Sequence, residues 1–142
     1  MNSHNHPMFG SVGAWFYQAL GGITPETPCY ERIRIAPQIV RDLTSVSATV
    51  ETVRGTISSS WSHMPGTITL EVAIPVNSTA TVVIPKDNEA TDLTLLEGDH
   101  AVWENGKFVP GTPGITGTSQ TKEGNLVIEV GSGRYAFKLD EK

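Results

Sequence analysis

The sequence TISSSWSHMPGTITLEVAIP, residues 56–75, contains two runs in which side chains alternate between two faces. In the first run Ile57, Ser59 and Trp61 share one face, and serines occupy the other. The second run places four apolar side chains on one face: Ile68, Leu70, Val72 and Ile74. Alternation with a period of two residues is typical of a strand that buries one side. The stretch therefore predicts two consecutive strands, with Gly66 at the turn between them.

Similar short runs continue along the chain and are separated by turn residues. The further predicted strands are residues 30–35, 46–53, 79–84, 93–95, 126–130 and 134–139, and residues 101–109 are predicted to form a hairpin. Asn105-Gly106 suits the type I′ turn of a hairpin, and residues 111–121 read as a surface loop with one irregular strand. Eight or more short antiparallel strands predict a β-sandwich or jelly roll, a mainly β fold.

Composition agrees with one turn-rich β domain. The 142 residues include 14 Gly and 9 Pro, and only 18% are charged. With 38% hydrophobic residues, a mean hydropathy of −0.14 and no long apolar run, the chain lacks the pattern of a membrane span. The net charge of −5, without a cluster of Lys and Arg, argues against a nucleic-acid partner.

One amphipathic helix is predicted over residues 8–20, ahead of the strands. Its apolar arc contains Met8, Phe9, Val12, Trp15, Phe16, Ala19 and Leu20. Pro7 suits the first helical position, which makes His6 the N-cap, and Gly21-Gly22 supply a left-handed stop. The helix carries no charge on any face, so it is expected to pack against neighbours on more than one side.

The polar residues before this helix are the first candidate site. His4 and His6 could chelate a metal only on an extended chain, and no third ligand is near in sequence, so a metal site is not predicted. Capping of the helix by Ser3 or Asn5, or a frayed terminus, is the simpler interpretation. At a helix N-terminus His6 is expected to stay neutral, because the positive end of the dipole disfavours imidazolium. A neutral imidazole can both donate to and accept from a sugar hydroxyl.

Other reactive residue types form no complete active site. The acidic residues are scattered without an acid–base pair, among them Glu51, Glu71, Glu89 and Glu129. His63 and His100 lie near turns and are expected at the surface. The single cysteine, Cys29, has no adjacent His or Asp, so a nucleophilic role is not predicted.

Aromatic residues offer a binding alternative. Trp61 shares a face with Ile57 and is expected in the core rather than as a sugar platform. An autonomous carbohydrate-binding module would need aromatic faces aligned on one sheet, and the candidates are Trp103, Tyr30 and Tyr135.

Several motifs resemble the C-terminal end of bacterial α-L-rhamnosidases, glycoside hydrolase family 78. They are SHNHPMFGSV at residues 3–12, Trp15-Phe16-Tyr17, Gly22-Ile23, Pro25, Tyr30, Ile35-Ala36-Pro37, Gly55, Ser59-Ser60-Trp61 and EVGSGRYAF at residues 129–137. The resemblance implies that residues 1–28 are the last loop, final helix and linker of a truncated catalytic (α/α)₆ barrel. It implies that residues 29–142 are the accessory β-sandwich that follows.

The same resemblance implies a chemistry. Family members release terminal α-L-rhamnose with inversion and use no nucleotide or redox cofactor. Inversion needs two carboxyl groups, and in the family both lie upstream, so no catalytic residue is expected in this chain. His6 matches the histidine that contacts the sugar, Asn5 is expected to shape that loop, and nothing is carried over to His4.

We therefore expect a structural sandwich that packs on the barrel and has no glycosidase activity alone. Without the barrel, the helix is expected to pack on its own sandwich, pair with a second copy through residues 8–20, or be poorly ordered. An autonomous carbohydrate-binding module is the alternative, and a self-contained small enzyme is a third possibility. No leader pattern of basic and then apolar residues is present, and the compartment stays open between cytoplasm, periplasm and secretion.

Overall fold

The computed structural model describes residues 10–40, 42–86 and 92–141. A short α-helix, α1 (Gly10–Trp15), continues as π-helical turns over Phe16–Leu20, and twelve strands follow, numbered in chain order. A single 3₁₀ turn (Pro28–Tyr30) lies between the first two strands. Within the described residues no helix is long and apolar enough to cross a membrane.

The strands form two sheets that pack face to face. The first sheet contains, in spatial order, β1 (Ile23–Pro25), β2 (Arg32–Ile35), β6 (Thr79–Ile84), β11 (Leu126–Val130) and β10 (Ile115–Gln120). The second contains β3 (Ser45–Thr52), β4 (Gly55–Met64), β5 (Thr67–Ile74), β12 (Gly133–Glu141), β7 (Leu93–Glu97), β8 (His100–Glu104) and β9 (Lys107–Phe108). The predicted β-sandwich is confirmed.

The core lies between the sheets and follows the alternation of the sequence. Ile57, Ser59 and Trp61 of β4 are all buried, as predicted. So are the four apolar residues of β5 and the alternate residues of β11 and β12. Because a sandwich buries only the inner face of each sheet, the outward residues of β4 and β5 are small or polar, except Met64 at the end of β4.

One strand pairing departs from the expected antiparallel pattern. Of the ten pairings that the described residues make, only β2 with β6 is parallel, with Ile33 opposite Ala80 and Ile35 opposite Val82. Three strands of the other sheet separate β2 from β6 along the chain. An even number of chain reversals therefore returns β6 to the first sheet in the direction of β2.

The structure contains the predicted hairpin turn and the predicted irregular strand at the positions expected from the sequence. Asn105 and Gly106 both have positive φ, 52° and 73°, as a type I′ turn requires. The region predicted as a loop with one irregular strand contains β10, an edge strand whose register with β11 shifts between Ile115 and Gly117.

The predicted helix is present from Gly10 onward, and its start, including the proposed cap at His6, lies outside the described residues. It ends where expected, because Gly22 has a φ of 72°. Only Ala19 in its last turn is buried, and Leu20 is half-buried. The helix therefore packs on its own sandwich at one end and leaves the rest of its apolar arc uncovered.

Candidate docking surface

Exposed apolar side chains occur on the helix and on several segments next to the strands. Of the described residues, the large apolar ones that remain exposed are Val12, Trp15, Phe16, Tyr17, Val40, Leu43, Val53, Met64 and Val76. They belong to the helix, to the segments that flank the edge strand β3, and to the neighbouring chain turns. Four of them lie together on the short helix, and an exposed apolar cluster is typical of a surface that another body covers.

The helix supplies the exposed apolar cluster. Val12, Trp15, Phe16 and Tyr17 are each about half exposed. The rings of Trp15 and Phe16 meet edge to face, with centroids 5.6 Å apart. A groove of about 620 Å³ runs between the helix and β3; its lining residues are Gly13, Phe16, Tyr17, Leu20 and residues 46–49. We call the helix, β3 and this groove the helix–β3 surface.

The sandwich holds the C-terminal end of the helix in place by donating hydrogen bonds to the last carbonyl groups of the helix. Trp61 Nε1 donates to the carbonyl oxygen of Leu20 at 2.8 Å, and the backbone N–H of Gln38 donates to that of Ala19 at 2.9 Å. The last carbonyls of a helix have no partner within the helix. Here the core and the segment after β2 provide partners, so the exposed helix is fixed in direction.

A second groove, of about 570 Å³, continues along β3 toward its far end. It lies between residues 25–30 and residues 51–53. Arg54 closes this end: Nε donates to the carbonyl oxygen of Cys29 at 3.0 Å, and Nη1 to that of Asn77 at 3.1 Å. Nη2 lies 3.8 Å from a carboxylate oxygen of Glu31. Arg54 lies in the turn between β3 and β4. It thus connects the linker between β1 and β2, residues 26–31, to this turn and to the turn that contains Asn77.

The linker that Arg54 holds is conformationally unusual. Cys29 and Tyr30 have φ of 57° and 56°, a left-handed region that costs a residue with a side chain free energy. Ser78 Oγ also donates to the Tyr30 carbonyl, at 2.9 Å. Contacts from the sandwich therefore stabilise a bend that the linker would not adopt alone.

Only some of the candidate site residues predicted from the sequence lie within the described part of the structure. Asn5 and His6, like His4, lie outside the described residues. Cys29 is exposed and is not part of a disulfide. In the described ranges no group of three or more His, Cys, Asp and Glu could hold a metal ion.

The aromatic residues considered for sugar binding do not form a common surface. Trp103 and Tyr135 are buried on the inner side of the second sheet. The hydroxyl of Tyr135 is 3.2 Å from the Gly131 carbonyl oxygen, and its ring stacks on Phe137 at 5.9 Å. Tyr30 lies at the linker, away from both. An aromatic platform built from these three residues is therefore wrong, because the core takes two of them.

Carboxylates do meet at one place that the sequence did not indicate. On the outer side of the first sheet, Thr81 Oγ1 lies 3.4 Å from an oxygen of Glu26 and 3.2 Å from both oxygens of Glu129. Arg32 and Arg34 lie 3.7 Å and 3.9 Å from Glu26. Positive charge therefore accompanies the pair, and the arrangement links β1, β2, β6 and β11 across the sheet. The antiparallel pairing of β6 with β11 places Glu129 opposite Thr81. The parallel pairing of β2 with β6, which the sequence did not predict, places Arg34 on the other side of Thr81.

Comparison with known proteins shows which family shares this sequence and fold. Residues 22–94, just over half of the chain, match the family model for the bacterial alpha-L-rhamnosidase C-terminal domain. An alpha-L-rhamnosidase of Formosa agariphila is 42% identical over 107 residues, 75% of this chain and 11% of that protein. One of Streptomyces avermitilis is 34% identical over 139 residues, 98% of this chain and 12% of that protein.

A solved structure supports the same assignment. The alpha-L-rhamnosidase from Dictyoglumus thermophilum superimposes with a TM-score of 0.82 at 34% identity, covering 99% of this chain and 14% of that chain. The 142 residues thus span about an eighth of the length of these relatives and match their C-terminal domain. This chain belongs to the family of bacterial α-L-rhamnosidase C-terminal domains.

Proposed function

We propose that this chain is the C-terminal part of an inverting glycoside hydrolase that releases terminal α-L-rhamnose. Residues 1–28 would complete the catalytic (α/α)₆ barrel, and residues 29–142 would form a structural sandwich that packs on it. The helix–β3 surface carries this proposal. The two segments are continuous in the chain, and β1 of the first segment also pairs with β2 of the second.

The energetics favour a covering partner. Fully burying a large apolar side chain is worth about 1.5–3 kcal/mol. Four helix side chains that are already half buried would together contribute about 3–6 kcal/mol on docking. Residues 10–20 carry no charge, so burying this helix would not bury an unpaired charge.

The chemistry would come from outside this chain. Inversion requires one carboxylic acid and one carboxylate about 6.5–9.5 Å apart, with a water between them and the sugar. The resemblance puts both upstream of this sequence, so the 142 residues alone are expected to hydrolyse no rhamnoside. Nuclear magnetic resonance of the first-formed anomer would test inversion in the whole enzyme.

Asn5 and His6 are proposed to contact rhamnose in that enzyme. His6→Ala would raise KM for an α-L-rhamnoside, since a hydrogen-bonding imidazole is lost. Asn5→Ala would have a smaller effect through the loop. His4→Ala is the matched control and is expected to leave KM unchanged; an equal effect at His4 would contradict the assignment.

Docking can be tested in the longer polypeptide that carries this chain. Phe16→Ser should lower the Tm of the catalytic region together with that of the sandwich. The control Lys107→Ser, on the opposite edge strand β9, should lower neither. Coding sequence upstream should specify a long helical region with acidic residues. A gene beginning at Met1 would overturn the proposal.

For the chain on its own we propose that the uncovered helix pairs with a second copy through residues 8–20. Light scattering should then give the mass of a dimer, and Trp15→Ser should return the mass of a monomer. A monomer at all concentrations would exclude this pairing without affecting the docking test.

A further inference from the structure

A polar groove lies on the outer face of the seven-stranded sheet, next to the helix–β3 surface. It has a volume of about 530 Å³, within the range of small-molecule sites. Its floor is made by small side chains on three adjacent strands. Register places Ser58 opposite Ala73 and Ser60 opposite Glu71. On the other side of β5, Arg134 is opposite Ala73 and Ala136 is opposite Glu71.

Charged side chains line the groove around this floor. Glu71, Arg134 and Glu97 all border it. Glu71 and Arg134 are diagonal neighbours on β5 and β12, yet with the residues that the structure describes neither makes an ion pair or a side-chain hydrogen bond. On the same outer face of β12, Lys138 and Asp140 do pair, at 2.8 Å. Glu71 and Arg134 can therefore still form hydrogen bonds to a ligand, whereas Lys138 and Asp140 already bond to each other.

The groups present define the ligand chemistry. Carboxylates accept two hydrogen bonds side by side, a guanidinium donates several in a plane, and serine hydroxyls do both. This set matches the vicinal hydroxyls of a sugar. Two carboxylates against one guanidinium leave a net negative charge, which disfavours an acidic sugar or a phosphate. The floor has no deep apolar pocket to anchor a peptide side chain.

We propose that this groove binds a neutral saccharide, with Glu71 and Arg134 as its principal hydrogen-bonding partners. Ser47 lines both this groove and the helix–β3 groove, so the bound sugar would lie beside the docking surface. The site is distinct from the aromatic platform excluded above. It goes beyond the proposed structural role, and it belongs to the 142-residue chain itself.

The test is a titration of the ¹⁵N-labelled chain followed by nuclear magnetic resonance. The probes are methyl α-L-rhamnoside, a neutral rhamnose disaccharide and D-glucuronate. Millimolar binding of the neutral probes should shift the amides of β4, β5 and β12 around the groove, and glucuronate should bind more weakly. Glu71→Gln and Arg134→Met should each weaken binding about tenfold, the effect of losing a hydrogen bond to a charged group.

The control is Lys138→Met, which changes a charge on the same face outside the groove and should leave binding intact. The two groove variants should keep the unfolding midpoint of the wild type. Absent shifts, shifts away from the groove, unchanged binding by both groove variants, or preference for glucuronate would each overturn the proposal. None of these results bears on docking, which is read from the helix variant.

Discussion

Trp61 Nε1 donates a hydrogen bond to the carbonyl oxygen of Leu20 at 2.8 Å, across 41 positions of sequence. Trp61 is 1% exposed and lies in the centre of the core between the sheets. Leu20 ends the exposed helix. A fully buried aromatic residue of the sandwich therefore helps to set the orientation of the apolar helix.

Trp61→Phe should loosen the helix as well as destabilise the fold. The substitution removes ring volume and leaves the Leu20 carbonyl without its partner, for a total cost of about 2–4 kcal/mol. Urea unfolding measures this cost, and hydrogen exchange of the helix amides measures the loss of anchoring.

Trp103→Phe is the matched control, because Trp103 is also buried but makes no hydrogen bond to the described helix residues, 10–20. It should destabilise the protein without speeding exchange at residues 16–20. Equal exchange in the two variants would mean that the hydrogen bond has no part in fixing the helix.

Gly22→Ala should destabilise the chain more than Gly106→Ala. Both glycines have nearly the same positive φ, 72° and 73°, so both variants incur the left-handed cost of about 1–2 kcal/mol. A Cβ at Gly22 would also collide with backbone atoms of Ala36 and Pro37, whereas at Gly106 it meets nothing. Thermal and urea unfolding should show an additional loss of about 1–3 kcal/mol at Gly22; equal losses would refute the close approach.

Arg54→Met should release the linker. The guanidinium holds the carbonyls of Cys29 and Asn77, and its loss should cost about 1–3 kcal/mol. The rate at which a thiol reagent modifies Cys29 should rise as the left-handed bend relaxes.

Lys138→Met provides the comparison, because it breaks an exposed ion pair worth about 0–1 kcal/mol. It should leave the Cys29 rate unchanged. A Cys29 rate that is the same in Arg54→Met and the wild type would show that Ser78 alone holds the bend.

Tyr135 should make the fold sensitive to alkali. Burial, with a contribution from the negative charge of Glu97, raises the pKa of the Tyr135 phenol above its ordinary value, against a lowering by the hydrogen bond to Gly131. A raised pKa means that folding favours the protonated phenol. This stabilisation is complete below the ordinary tyrosine value of about 10 and is lost as pH rises through the folded value.

Tyr135→Phe cannot ionise at this position. Its free energy of unfolding should therefore fall less steeply above about pH 10 than that of the wild type. At neutral pH it should be lower by about 1 kcal/mol, from the lost hydrogen bond. Parallel curves in urea unfolding across the alkaline range would contradict the shift.

The strands were predictable because each carries its own pattern. Ile57, Ser59 and Trp61 alternate locally, and so do the apolar residues of β5 and β12, so the inner face can be read without knowing the partner strand. Asn105-Gly106 likewise determines its own turn. The parallel pairing of β2 with β6 was missed, because it depends on how the chain crosses between sheets.

The positions of functional side chains were harder to predict from the sequence than the strands. The sequence offers Trp103 and Tyr135 as candidates for a sugar platform, and the sandwich buries both. Nothing local in the sequence brings Glu26 to Thr81, or Glu71 to Arg134, since the two residues of each pair are more than 50 positions apart in the chain.

By itself the sequence determined the sandwich, the uncharged apolar helix before it and the resemblance to rhamnosidase C-terminal ends, because periodicity, turn chemistry and motifs are properties of neighbouring residues. Only the tertiary structure decided that the helix is held by Trp61 and Gln38, that its aromatic face stands open beside β3, and that a polar groove adjoins it. Those features arise from contacts between distant strands, which depend on the crossing of the chain between two sheets and leave no local signal.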